Sequence, residues 1–462
     1  MEWTFEDLQE WDDKIVKLAN KYNLDWYPID YEVCDYHDMI GYMSYIGMPT
    51  HYQHWSYGKS FERTHTMYNL GMEGLPYEMI INSDPSISYL MSENPLPLQV
   101  LIMAHCVGHS DFFKNNRMFR HTDAANVISR FRNAAKRIKK YVDNTHIGVE
   151  NVEKIIDACH ALKYHNYREF GIKRKTHEEI KQYYIDIANY KPQNLPLNFD
   201  INKMPLEPDY DVLGFIAKHS RNLEDWERDI INIVREESMY FMPQAMTKIM
   251  NEGWASFWHY KIMSELDLPQ EFHLSFLKFH NQVLRPMVGR INPYHLGFTI
   301  FKWIEKNMGL EECFIARTSH NDESFVRTYL NQEICEELNL FSYSKKKKEW
   351  TIDDISDEDG WKQIREDLIK NVGLNPTRIG FYELLKKYAE KASIALKKYS
   401  GKIIIRGGKS ECKEGKSSPR TVVIEFLSMD HAKIFYQSSE YQEAKKILGN
   451  SVKRNYQIVE GV

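Results

Sequence analysis

The segment Met250-Asn-Glu252-Gly-Trp254-Ala-Ser-Phe257-Trp258-His259 constrains the fold more than any other. At helical spacing, Glu252, Ala255, Ser256 and His259 share one side, with Trp254, Phe257 and Trp258 opposite. Three large rings side by side demand deep packing. A carboxylate two turns from an imidazole, with only small residues between them, then forms the wall of a buried pocket. Such a carboxylate must be paired or metal-bound, because its burial alone is prohibitively costly.

An element like that needs a large body around it. The 462 residues suffice for about two to four domains. A hydrophobic fraction of 43% and a charged fraction of 27% are ordinary globular usage and exclude a mostly disordered chain. Aromatics reach 13%, in keeping with a ring-rich core or groove. Sixty Lys and Arg against 65 Asp and Glu leave a net charge of −5, so no nucleic-acid footprint is expected. The six cysteines are scattered without a CxxC, as in a reduced, cytoplasmic protein. The acidic start MEWTFEDLQEWDD is no secretory signal, and no apolar run is long enough for an integral membrane segment.

The first 340 residues read as mainly helical. Thr4 and Asp7 offer a cap, followed by Phe5, Leu8, Trp11, Ile15 and Leu18 at helical spacing. Helices are expected from about Leu98 and over Asp123–Val142, Val149–Tyr164, Thr176–Ala188, Leu223–Tyr240, Gln244–Leu266 and Gln270–Leu284. Residues 47–58 read as an ordered aromatic loop, and Asn292-Pro-Tyr-His-Leu-Gly297 as a turn. The run Ser344-Lys-Lys-Lys-Lys348-Glu reads as a solvated boundary. The tail predicts a helix over Phe381–Lys398, strands at Lys402–Ile405 and Thr421–Leu427, short helices over Met429–Leu448, and a last strand near Gln457–Val459. The expected division is a helical domain over 1–345, a linker or helical extension over 346–374, and a small α+β domain over 375–462.

The clearest chemical signal is Met103-Ala-His105-Cys-Val-Gly-His109-Ser-Asp111. His105 and His109, at i and i+4, project from one helix face, the spacing with which an H-E-x-x-H helix grips zinc. The glutamate position of that motif holds Cys106, so the usual general base is missing. With Glu252, the two histidines make a three-residue ligand set that leaves a position open for water. His259 is a fourth ligand or a proton shuttle in this reading, and Asp111, Glu252 or an acid from another segment is the substitute base. The bland alternative is a buried His–Glu network without metal. Asn251-Glu-Gly-Trp-Ala also resembles the second helix of glutamate-type zinc peptidases, where the glutamate is the third zinc ligand. A zincin-like helical core is compatible with that likeness.

Glu153, Asp157, His160 and Tyr164 form another polar stripe, either solvent-facing or able to add ligands for a second metal. His51, His54 and His65 belong to a pocket lid or to plain packing.

These strings resemble the stage V sporulation protein R (SpoVR) family. The stretches that carry the likeness are Gly47–Lys59, Tyr77–Pro85, Ala104–Asn116, Asn251–Ala255, Asn292–Gly297 and Asp322–Leu330, over about residues 1–370. The resemblance implies a cytoplasmic bacterial protein needed for spore cortex peptidoglycan, with relatives in bacteria that do not sporulate. The tail is similar to a small ferredoxin-like family of the dimeric α+β barrel group, through Tyr388–Ser393, Tyr399–Gly408, Val422–Phe426, Ser438–Tyr441 and Val459–Val462. That likeness implies a homodimer formed through the C-terminal domain. An expected first strand before Phe381 is not evident.

Two functions compete at this stage. One is a metal-dependent hydrolase, zinc being the expected ion, of peptide or peptidoglycan-related substrates. The other is a non-catalytic assembly or regulatory protein acting through protein partners. No P-loop is present, and Arg406-Gly-Gly408 does not make one.

Overall fold

A computed structural model describes residues 3–70, 78–166, 175–190, 211–286, 291–346, 349–372, 381–406, 422–448 and 458–459. The chain divides into two compact units, Met1–Asn375 and Pro376–Val462.

The first unit is mainly helical with small sheets. It opens with α1 (Phe5–Lys21), β1 (Ile29–Cys34), α2 (Tyr36–Ser44) and α3 (Trp55–Asn69). The strands β2 (Glu78–Ile81) and β3 (Ser86–Met91) precede α4 (Leu96–Asn115). Next come α5 (Val127–Asp143), α6 (Gly148–Leu162), α7 (His177–Tyr190), α8 (Val212–His219) and α9 (Asp225–Met246). The chain continues through α10 (Lys248–Glu265), α11 (Gln270–Val283), α12 (Pro293–Met308), α13 (Leu310–Ser319), α14 (Asp322–Tyr329) and α15 (Gln332–Glu337). The hairpin β4 (Phe341–Lys346) and β5 (Glu349–Ile355) leads to α16 (Gly360–Asn371). Ile364, Leu368 and Ile369 of α16, in the segment expected as a linker or helical extension, join the main core.

Two helices carry that core. α4 begins at a Pro-rich N-terminus, where a missing N–H costs nothing, and every residue from Leu98 to Phe113 is buried. α10 buries Trp254, Phe257 and Trp258 against Phe301 and Phe314. Both are enclosed on all sides, as helices apolar around most of their circumference must be. Glycine sets how close they come. A Cβ on Gly108 would stand 2.7 Å from Ala255 Cα, and one on Gly253 would stand 2.4 Å from Gly297 Cα. α4 meets α10, and α10 meets α12, with backbones nearly touching.

Asn292–Gly297, expected as a turn, instead starts α12. Asn292 caps it by accepting from the Tyr294 N–H, and Pro293 occupies the first turn. Gly297 lies inside the helix because Gly253 crosses there. Part of the expected aromatic loop is helical as well, since α3 begins at Trp55 with His54 as its cap.

A three-stranded sheet of order β1-β3-β2 lies against α4, with β1 parallel and β2 antiparallel to β3. Sequence periodicity does not disclose it. β2 has four residues, and its partner is fixed by tertiary pairing rather than by any local signal.

The second unit contains α17 (Phe381–Lys398), the antiparallel pair β6 (Lys402–Arg406) and β7 (Val422–Glu425), α18 (Met429–Gln437) and α19 (Ser439–Leu448). Its small core includes Ala395, Leu396, Phe435 and Tyr441. Ile458 and Val459 are not in a strand, and the rest of the expected final strand lies outside the described residues. So do most of the expected lysine boundary's run end (347–348), the glycines of 407–408 and the segment before Phe381.

Candidate metal centre

His105 and His109 stand on one face of α4 with ring centroids 4.6 Å apart. α10 brings Glu252 to them: its Oε2 lies 3.4 Å from His109 Nε2 and 4.0 Å from His105 Nε2. β2 contributes a residue that the sequence reading misses. Glu78 Oε1 lies 3.7 Å from His105 Nε2, and Glu78, His105 and His109 form a group that could hold a metal ion.

Hydrogen bonding decides where the lone pairs point. His109 Nδ1 donates to Asn251 Oδ1 at 2.9 Å, which turns Nε2 towards Glu252, as an acceptor when the ring is neutral and as a donor when it is protonated. His105 Nδ1 lies 2.8 Å from His259 Nδ1, and His259 Nε2 lies 2.8 Å from His280 Nδ1. With protons running outward along this chain, His105 Nε2 is also an acceptor. Two imidazole lone pairs and two carboxylates therefore converge. His105 Nε2 and Glu252 Oε2 are buried and have no aligned hydrogen-bond partner.

That arrangement repels itself unless a proton or a cation sits in it. Ligands held at roughly 2.1 Å by a tetrahedral ion stand roughly 3.4 Å from one another. The separations of 3.4, 3.7 and 4.0 Å lie at that spacing or slightly outside it. The residues fit a divalent ion that takes nitrogen and oxygen donors.

The electrostatics reflect the same crowding. Burial pushes the Glu78 carboxyl up to about 7, assisted by the Glu252 charge. Burial and the neighbouring His109 and His259 hold His105 well below the usual imidazole range. Burial also opposes charge on His109, but hydrogen bonding to Glu252 and its charge outweigh it and raise that imidazole. The Glu252 charge, then burial, raise the Tyr294 phenol, whose ring lies 6.1 Å from that of His105.

The remaining candidates fall in distinct places. His259 has both ring nitrogens engaged, by His105 and by His280, and stands behind the ligands. Asp111 is on the far side of α4. Its Oδ1 accepts from the Asp25 N–H at 2.9 Å, and its Oδ2 accepts from Trp254 Nε1 at 2.7 Å and Arg317 at 2.9 Å. Cys106 faces the sheet, its Sγ 3.2 Å from Ser88 Oγ, and burial pushes its thiol up.

The loop histidines and the α6 stripe come together elsewhere. His54 Nε2 lies 3.3 Å from Asp157 Oδ1, His160 Nε2 lies 2.7 Å from the Tyr52 hydroxyl, and His51 Nε2 lies 3.1 Å from Glu237 Oε2. His54 Nδ1 accepts from the Ser56 N–H as the cap of α3, so its Nε2 carries the proton that faces Asp157. Glu153 of the stripe adds its charge beside His54, whereas the His65 ring stacks on Phe61.

Comparison with known proteins agrees with the strings that carry the resemblance. The family described as SpoVR like protein matches residues 2–377, and the domain of unknown function DUF1330 matches residues 378–462. A protein of Escherichia coli (strain K12), YcgB, described as uncharacterized, is 35% identical over 422 residues, 81% of this chain and 82% of that protein. No solved structure matches. Among the described residues, no helix is long and apolar enough to cross a membrane.

Proposed function

The chain belongs to the SpoVR-like family, and from that premise and the centre above we propose that it is a metal-dependent hydrolase acting on peptide or peptidoglycan-related amides. One observation carries this reading: the acceptor nitrogens of His105 and His109 and the orphaned Oε2 of Glu252 face one point. Zinc is the ion of choice for two imidazoles and a carboxylate. A divalent ion there supplies Lewis acidity and a nucleophilic water at neutral pH.

The chain's own residues do the rest. Asn251 and His259 fix the ring orientations of His109 and His105 from behind, as partners of metal-bound histidines do. Tyr294 stands beside Glu252, whose charge and hydrogen bond hold its phenol in the neutral form. A zincin-like reading of the core draws support from the two helices and the mixed sheet beside α4. The cortex role implied by the family resemblance makes cross-linked peptidoglycan the first substrate to try. The test is release of new amino groups from purified sacculi by zinc-loaded protein, against a Glu252→Gln variant. Release by the wild type alone is expected. Equal release by both would remove the reading.

A second reading, assembly through protein contacts, draws on the C-terminal unit. Ile404, Val422 and Leu427 are 56%, 47% and 79% exposed there, apolar surface suited to a second copy of the same unit. An Ile404→Glu change is then expected to convert a dimer into a monomer in light scattering. A wild-type monomer would end that proposal.

A further inference from the structure

The two carboxylates at the centre are not equivalent. We propose that Glu252 is the third protein ligand, while Glu78 is the general base, supplied from β2 in place of the glutamate that position 106 lacks. This rests on the hydrolase reading and names its missing catalytic residue.

Three observations separate the roles. Glu252 Oε2 bridges both imidazoles, at 3.4 and 4.0 Å, whereas Glu78 is within 4 Å of His105 alone, at 3.7 Å. Glu252 Oε2 is a buried, orphaned acceptor that a cation would satisfy. Glu252 is also held rigidly. Asp322 accepts from the Ile249 and Met250 N–H groups at 2.9 Å each, and α10 is pressed between α4 and α12 at Gly108 and Gly297. Ligand positions call for that rigidity, whereas a base needs only to reach the attacking water.

The sheet register shows why Glu78 can replace residue 106. Glu78 pairs with Leu90, and Ile80 pairs with Ser88. Paired residues share a face, and Leu90 and Ser88 share one because side chains alternate along a strand. Ser88 Oγ touches Cys106 Sγ, so that face is the one α4 covers. Glu78 therefore projects towards α4 on the side that Cys106 meets, roughly 7 Å along the strand from that contact. Cys106 gives its place to packing against β3, and the strand beside β3 provides the carboxylate.

The step balances without a further reactant. The water oxygen bonds to the amide carbon as one of its protons passes to Glu78. The C–N bond then breaks with its electron pair going to nitrogen, which takes that proton from Glu78. The second water proton remains with the new carboxylic acid until it ionises.

Metal stoichiometry and turnover on sacculi test the division of roles, using the full chain with Glu78→Gln, Glu252→Gln, and Glu78→Gln combined with Cys106→Glu. Glu78→Gln is expected to hold as much zinc as the wild type while amine release falls about 100- to 10,000-fold. Glu252→Gln is expected to lose the zinc. Returning a glutamate to position 106 is expected to recover at least part of the rate. Zinc lost in Glu78→Gln and kept in Glu252→Gln would overturn the assignment and leave a metal centre with Glu78 as ligand. So would an undiminished rate in Glu78→Gln. A folded wild type that binds no zinc would instead remove the hydrolase reading itself.

Discussion

Two clusters of buried histidine and carboxylate occupy the first unit, and they are built for opposite ends. Around His51, His54 and His160, the neighbours are Glu237 for His51, Asp157 and the start of α3 for His54, and Tyr52 for His160. His54 Nε2 and both Glu237 oxygens lack an aligned hydrogen-bond partner, just as His105 Nε2 and Glu252 Oε2 do. Around His105 and His109, Asn251 and His259 stand behind the rings as acceptors, so that the two Nε2 atoms face inward towards Glu78 and Glu252. Composition does not distinguish the two. The difference lies in convergence: His105, His109, Glu78 and Glu252 face one another, whereas His51, His54 and His160 each face a different partner, and a cation needs several donors at one point.

The largest effect expected concerns a carboxylate that belongs to neither cluster. Asp111→Ala leaves Arg317 buried without its partner and should cost about 3–5 kcal/mol in urea unfolding. Zinc content of the folded fraction should not change, since Asp111 is saturated by Asp25, Trp254 and Arg317. Loss of zinc from that folded fraction would break the comparison by making Asp111 part of the centre.

Gly253→Ala comes next. Its Cβ would stand 2.4 Å from Gly297 backbone atoms, so α10 must shift. A loss of about 1–3 kcal/mol is expected, with zinc affinity falling alongside because Glu252 is the adjacent residue. Unchanged unfolding would show that the close helix approach is not rigid.

His259→Ala sharpens the comparison, since it removes an outer partner without touching a ligand. Zinc affinity is expected to fall about 10- to 100-fold in competition with a chelator, with stoichiometry retained at saturation. Complete loss of binding would make His259 a ligand.

The smallest effect belongs to the second cluster. Burial pushes the Glu237 carboxyl well above its ordinary 4.5 and pushes His51 down to about 3 from 6.5. The stability linked to protonated Glu237 is present at acid pH and is lost as pH rises from 4.5 through its folded-state value. The stability linked to neutral His51 is present above 6.5 and is lost as pH falls towards 3. Glutamine mimics the neutral acid, so Glu237→Gln should flatten the alkaline limb of urea midpoints and leave the acid limb. Zinc content should be unaffected. An unaltered alkaline limb would mean that Glu237 is charged in the fold.

The legibility of the molecule follows the range of its interactions. α11 and α17 can be read from periodicity, because their residues repeat on one face within a few turns. His105, His109 and Glu252 stand out because each lies on a helix whose other faces are plainly core. Glu78 gives no such signal. It begins a four-residue strand whose partner, β3, is fixed by tertiary pairing, and a lone glutamate before Met-Ile-Ile reads as surface. The start of α12 misleads for a related reason. Asn-Pro and Gly are turn residues locally, and the crossing of Gly253 that accounts for Gly297 inside a helix is not local.

Metal content tests the central claim most directly, measured by elemental analysis on the purified wild type beside His105→Ala, Glu252→Gln and His54→Ala. The expected result is close to one divalent ion per chain in the wild type and in His54→Ala, and none in the other two. A folded wild type without metal, or metal lost through His54→Ala and kept in His105→Ala, would contradict the account.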